Sequence, residues 1–220
     1  MMSTNAVLQE VDRETPDAER LAALRQVSES EPGVARRAAW EWLKSLQSPS
    51  EHFRLEDVFA LGMAPQGPDG HCEGIVMNLY GSRWLAGLDR LVRLGQWLGG
   101  VGWTGKSFDL AAGTGYNRLT ASTRIPAFLA MPTYRFRRRN GELTGFPFFH
   151  SIEESPLPPH PQVRAVKYDA PEHANPLVLP RTRDELVELL PGVYLGRALL
   201  RTGRHWRVVG YFGLRAPGDD

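Results

Sequence analysis

The amino-acid sequence predicts an α+β fold: a mainly antiparallel β-barrel of about eight strands, with N-terminal helices and one inserted helix. Three observations carry this expectation. From residue 51 onward, short runs rich in β-branched and aromatic residues follow one another, punctuated by Gly, Pro and Asn. Two hairpin turns stand out, at Asn140-Gly141, where both residues tolerate the positive φ of a type I′ turn, and at Thr202-Gly203. Ahead of them, apolar residues recur at three- and four-residue spacing, the period of an α-helix.

Taken in order, Thr15-Pro16-Asp17 reads as a helix start, with Thr as cap, Pro at the first helical position and Asp facing the dipole. A second start follows at Ser30-Glu31-Pro32, and from there Ala35, Ala39, Trp42, Leu43 and Leu46 form one apolar stripe. Such a stripe must bury itself, and packing on the body of the same protein is favoured over a homodimer contact or a lid. Ser48-Pro49-Ser50 is expected to end the helical region, dividing a helical extension over 1–50 from a barrel domain over 51–220.

Strands are expected at Glu73 to Tyr80, Lys106 to Leu110, Tyr116 to Thr123, Thr133 to Arg139, Glu142 to His150, Gln162 to Tyr168, Val193 to Arg201 and His205 to Arg215. At about this number antiparallel sheets close into barrels that hold side chains or one small ligand. A helix is expected to interrupt them at Ser82 to Leu98. A shorter one is expected from Thr182, because Glu185 completes a capping box before Leu186, Val187, Leu189 and Leu190, with Pro191-Gly192 as its stop.

Composition narrows the function. The 220 residues are 42% hydrophobic, enough for a substantial core, and 26 basic against 25 acidic residues give a net charge of +1. That balance argues against nucleic acid as a dominant partner. Arg135, Arg137, Arg138 and Arg139 cluster, but Arg135 and Arg137 alternate with Tyr134 and Phe136, as in a half-buried strand whose charges face water. Apolar runs fall short of the ~20 residues of a membrane-spanning helix, so no membrane insertion is expected, and the cytoplasm is the default location. Cys72 is the single cysteine and reads as a small buried side chain. The six histidines include no H-x-x-x-H pair, so neither a metal site nor a cofactor is expected.

Gly100-Val101-Gly102-Trp103-Thr104-Gly105-Lys106-Ser107 matches the phosphate-loop pattern G-x-x-x-x-G-K-[ST]. A working phosphate loop follows a buried strand and opens a helix, so that backbone N–H groups converge on the phosphates. Here the helical period of Trp84 to Leu98 precedes it, and Gly113-Thr114-Gly115 follows too soon. No ATP or GTP binding is expected.

The same residues carry a resemblance. Gly102-Trp103-Thr104-Gly105-Lys106-Ser107-Phe108-Asp109, with Asp69 to Gly74, Pro191 to Leu199 and Val209 to Leu214, resemble small uncharacterised bacterial proteins marked by a Trp-x-Gly-Lys-x-Phe-Asp core in a G-x-W-x-G-type domain. Val101 stands where a strict motif has Gly. The resemblance implies a calycin-like barrel, related to lipocalins or fatty-acid-binding proteins, and no assigned chemistry. It also implies a structural role for Trp103 and Lys106, with the Trp closing one barrel end under a basic residue.

Within such a barrel the expected function is binding of a small apolar or amphipathic molecule. Trp84, Tyr134, Phe136, Phe148, Leu195 and Leu199 are the candidate ligand contacts, because the aromatic content exceeds what a filled core demands. A cofactor-independent enzyme, such as a cyclase, isomerase or dehydratase, is the alternative, with His150, Arg197 and Tyr211 as its catalytic groups. His150 follows an apolar run and precedes Glu153 and Glu154, a setting that suits either a tuned base or a hydrogen-bonded strand-end His. Arg197 shares a strand face with Val193, Leu195 and Leu199, the face expected to point inward, where Glu73 or Asp109 would pair with it. Haem bound through one His is a third possibility, since some small barrels with a similar motif hold it.

Overall fold

The computed structural model describes residues 15–79, 102–121, 134–139, 141–176 and 179–218. Its strands are β1 (Gly70–Leu79), β2 (Trp103–Asp109), β3 (Thr114–Leu119), β4 (Arg137–Arg139), β5 (Glu142–Glu154), β6 (Gln162–Lys167), β7 (Thr182–Leu190), β8 (Val193–Thr202) and β9 (His205–Arg215). All neighbours are antiparallel, in the order β3-β2-β1-β9-β8-β7-β6-β5-β4. Pairing of β3 with β5, from Leu119↔Leu143 to Thr114↔Phe149, closes eight strands into a barrel and leaves β4 as an extra strand beside β5.

Strand alternation sorts side chains into two cores. Inside the barrel, Cys72, Phe108, Leu119, Phe148, Val166, Tyr168, Leu186, Tyr194, Phe212 and Leu214 form one cluster. Burial pushes the Cys72 thiol up to about 12. On the outer surface, Val163, Val187, Leu189, Val193 and Leu195 meet helices α1 (Asp17–Ser30), α2 (Pro32–Ser45) and α3 (Leu55–Ala60) in a second core. The stripe of Ala35, Ala39, Trp42, Leu43 and Leu46 is buried, so α2 covers its own barrel. Each Leu or Phe placed there contributes about 1.5–3 kcal/mol.

The helical region departs from expectation at both ends. Pro16, not Thr15, occupies the first cap and makes no side-chain hydrogen bond, whereas Asp17 is held by Arg54 Nε at 3.0 Å. Ser48-Pro49-Ser50 does not end the region: a 3₁₀ turn over Pro49–Arg54 runs on into α3. The expected helix Ser82 to Leu98 lies outside the described residues.

Thr182–Leu190 is strand β7, not a helix. Its inner face carries Asp184 and Leu186 into the barrel, while Glu185, Val187 and Leu189 turn outward to other residues of the barrel wall and the helices. Both faces are buried, so the strand lacks the polar face that would show a two-residue period. Pro191-Gly192 accordingly forms a hairpin turn between Leu190 and Val193, with Gly192 at φ 84°. The turns at Gly141 (φ 84°) and Gly203 (φ 63°) also join paired strands.

Candidate functional site

The phosphate-loop segment is extended. Trp103 to Ser107 lie within β2, and no helix N-terminus follows, so backbone N–H groups there are committed to strand pairing with β1 and β3. Pairing sets Lys106 opposite Cys72 and Asn117, on the inward face with Phe108.

Lys106 is 3% exposed. Its Nζ forms an ion pair with Asp184 Oδ2 at 2.9 Å and donates to Asn117 Oδ1 at 2.9 Å and Tyr168 Oη at 2.6 Å. Tyr168 Oη in turn donates to Asp184 Oδ2 at 2.7 Å. Asn117 Oδ1 also accepts from Trp103 Nε1 at 3.1 Å, and its Nδ2 donates to Phe146 O at 3.2 Å. Phe146 has φ 52°, rare for a residue with a side chain, and a register shift in β3–β5 lies opposite it.

Rings enclose this group. Lys106 Nζ lies 5.8 Å from the Trp103 ring centroid, 5.3 Å from Phe148, 5.4 Å from Tyr168 and 5.4 Å from Phe212. Burial pushes the Lys106 amine below its ordinary value, against the opposing pull of Asp184. Burial, followed by the Asp184 charge, pushes the Tyr168 phenol well up. Beside the cluster is a cavity of ≈ 180 Å³, lined by Lys106, Asn117, Tyr168 and Asp184 together with apolar groups including Trp103, Leu119, Phe146 and Phe212. Ala198 of β8 and Thr182 of β7 also line it.

The expected site residues are dispersed relative to this cavity. Phe148 borders the lysine. Tyr134 and Phe136 pack on Phe146, with ring centroids at 5.0 Å and 5.4 Å. Trp84 lies outside the described residues. Trp103 is half-buried and meets Phe212 edge-on at 5.6 Å.

The Val193, Leu195, Arg197 and Leu199 face points to the helical side, not inward, which corrects the expected orientation. The Tyr194, Gly196 and Ala198 face is the one inside. Arg197 is nonetheless 1% exposed, its Nε 3.0 Å from Glu185 Oε2 and its NH1 2.7 Å from Glu56 Oε1. Its carbon Cζ sits 4.2 Å above the Phe59 ring. Glu56 and Glu185 thus take the place expected for Glu73 or Asp109, and Glu73 pairs with Arg215 instead. The Tyr211 hydroxyl joins the same network by donating to Glu56, while Tyr211 itself is among the residues that line the cavity. These groups fasten α3 to the barrel.

His150 is inside the barrel but off the cavity, its Nδ1 3.1 Å from Arg164 NH1. Burial and then the Arg164 charge push its imidazole down, so Nδ1 accepts from the guanidinium. Arg164 in turn donates to the carbonyls of Gly67 and Pro65, so the pair anchors the chain entering β1.

Asn117, Tyr168 and Asp184 were not foreseen. They come from three separate segments, β3, the residue after β6, and β7, and Asp184 lies in the segment that reads as a helix. The one signal within β2 was a lysine two residues from Phe108, hence on an inward-facing, apolar strand face. Among the described residues, no helix is long and apolar enough to cross a membrane and no group of three or more His, Cys, Asp or Glu could hold a metal ion. Comparison with protein-family models, with curated proteins and with solved structures returns no match, so the site rests on its geometry alone.

Proposed function

We propose that the barrel binds a small, mainly apolar molecule in the cavity beside Lys106, oriented by the polar group of Lys106, Asp184, Tyr168 and Asn117. One observation carries this reading: four hydrogen-bonded polar side chains converge at the wall of a cavity otherwise lined by apolar and aromatic groups. Ligand sites combine a mostly apolar lining with a few placed polar groups in this way. At ≈ 180 Å³ the space compares with the roughly 150 Å³ cavity known to hold benzene, so the occupant is of single-ring size. Haem is several times larger, and the described lining residues include no His to ligate it.

An enzymatic role is favoured over passive carriage. A carrier needs only shape and apolar surface, whereas a buried acid, amine and phenol in mutual contact are the components of proton transfer. Membership in the calycin-like group with the Trp-x-Gly-Lys-x-Phe-Asp core belongs to the same proposal. Most motif residues serve the interior: Trp103 and Phe108 pack there, Lys106 supplies the amine, and Gly105, at φ +135°, has no room for a Cβ, which would lie 2.0 Å from Cys72 O, whereas Asp109 is exposed and accepts from Ala112 N.

Titration with 3-phenylpropan-1-ol, followed by calorimetry, is expected to show saturable one-to-one binding. Ala198→Phe, which fills the cavity from β8, is expected to abolish it while the far-ultraviolet circular dichroism stays unchanged. Equal binding by both proteins would place the ligand elsewhere.

A further inference from the structure

We infer that Lys106 is a carbonyl-capturing amine, forming an imine with a small apolar aldehyde or ketone held in the cavity while Asp184 and Tyr168 move protons. This rests on the cavity reading above and goes beyond it by naming the substrate class and the bond formed.

The choice of cation argues for it. Of the 26 basic residues 23 are Arg, and Lys44, Lys106 and Lys167 are the three lysines. Elsewhere in this protein buried charge is neutralised by arginine: Arg164, Arg183 and Arg197 are all buried, and the last two share Glu185. An Arg would neutralise Asp184 equally well, and its planar fork is better suited to a buried ion pair. A lysine can do what an arginine cannot, which is to lose its proton and attack carbon. The lysine standing among these buried arginines is the one whose amine lines the cavity, whereas the side chains of Lys44 and Lys167 are 42% and 38% exposed.

Geometry supplies the rest. Asp184 Oδ2, 2.9 Å from Nζ, is placed to take the ammonium proton, and Tyr168 Oη contacts both. With the proton on Asp184, the amine lone pair forms a C–N bond to the carbonyl carbon. The carbonyl π electrons move to oxygen, which takes that proton to give a carbinolamine. Asp184 then accepts the N–H proton and returns it to the departing hydroxyl, which leaves as water. The sum is Lys–NH₃⁺ plus O=CHR giving Lys–NH⁺=CHR plus H₂O, with charge conserved and Asp184 again a carboxylate beside the iminium. Burial lowers the amine below its ordinary value, which favours the neutral, attacking form over the free ammonium.

The test uses 3-phenylpropanal with sodium cyanoborohydride at neutral pH on the full chain, read by intact mass and peptide mapping. One reduced adduct is expected on Lys106, forming on the order of tenfold or more faster than on Lys44 or Lys167, because the cavity holds the aldehyde beside it. Its rate should level off below the ordinary lysine range, and Asp184→Asn should slow it. If the wild-type protein binds 3-phenylpropan-1-ol but labels its three lysines alike, the imine proposal fails and the cavity reading survives. If it neither binds the alcohol nor labels Lys106, both fail.

Discussion

Replacing Arg197 with methionine is expected to destabilise the protein by about 3–5 kcal/mol, the usual cost of leaving one member of a buried ion pair behind. The loss falls mainly on Glu185, which is 0% exposed and would keep only Arg183 Nε at 3.0 Å and Ser155 Oγ at 2.8 Å. Glu56 loses less, because its side chain is 50% exposed and still accepts from Tyr211. Urea denaturation should show a lower midpoint with an unchanged slope. At low denaturant the variant should still bind 3-phenylpropan-1-ol, since Arg197 lies outside the barrel cavity. A stability change below about 1 kcal/mol would mean that Arg183 alone satisfies Glu185.

Lys106→Met should cost a comparable 3–5 kcal/mol, by stranding Asp184 at 8% side-chain exposure among aromatic rings. Adding Asp184→Asn should recover most of that, because the amide still accepts from Tyr168 and carries no charge, so the two changes are strongly non-additive. The pH dependence has a defined sign. Lys106 titrates lower folded than unfolded, so between those two values the unfolded chain binds the extra proton and stability rises with pH. That rise should vanish in Lys106→Met. Additive single effects would show that Lys106 and Asp184 are not coupled as the geometry has them.

Much of the barrel was legible because most of its strands present one polar or one aromatic face. His205–Arg215 keeps the bounds the alternation suggests, whereas of the strand expected over Thr133 to Arg139 only Arg137–Arg139 pairs, although Tyr134 and Phe136 do alternate in burial with Arg135 and Arg137. β7 escaped because its charges, Arg183, Asp184 and Glu185, sit in buried ion pairs on both faces rather than in water. With no solvated face left, a chance Thr182/Glu185 capping spacing decided in favour of a helix. The same burial on both sides misdirected the reading of β8: Leu195 is as apolar as any cavity wall, but the helices, not a ligand, cover it, and Leu199, on the same face, is buried away from the cavity. The site was less legible than the fold. Lys106, Asn117, Tyr168 and Asp184 lie up to 78 positions apart; β2–β3 and β6–β7 pairing gives two separate pairs, which meet only when β3 and β6 flank β5 in the closed barrel.

The central claim is that the Lys106 amine borders a ligand-accessible cavity. With three lysines in the chain, the ¹H–¹³C spectrum of protein labelled at lysine Cε is simple enough to follow each one. Lys106, assigned by its loss in Lys106→Met, is expected to titrate below the ordinary lysine value and to shift on addition of 3-phenylpropan-1-ol while the other two signals stay in place. A Lys106 signal that titrates at the ordinary lysine value, or that does not move at saturating ligand, would contradict the account.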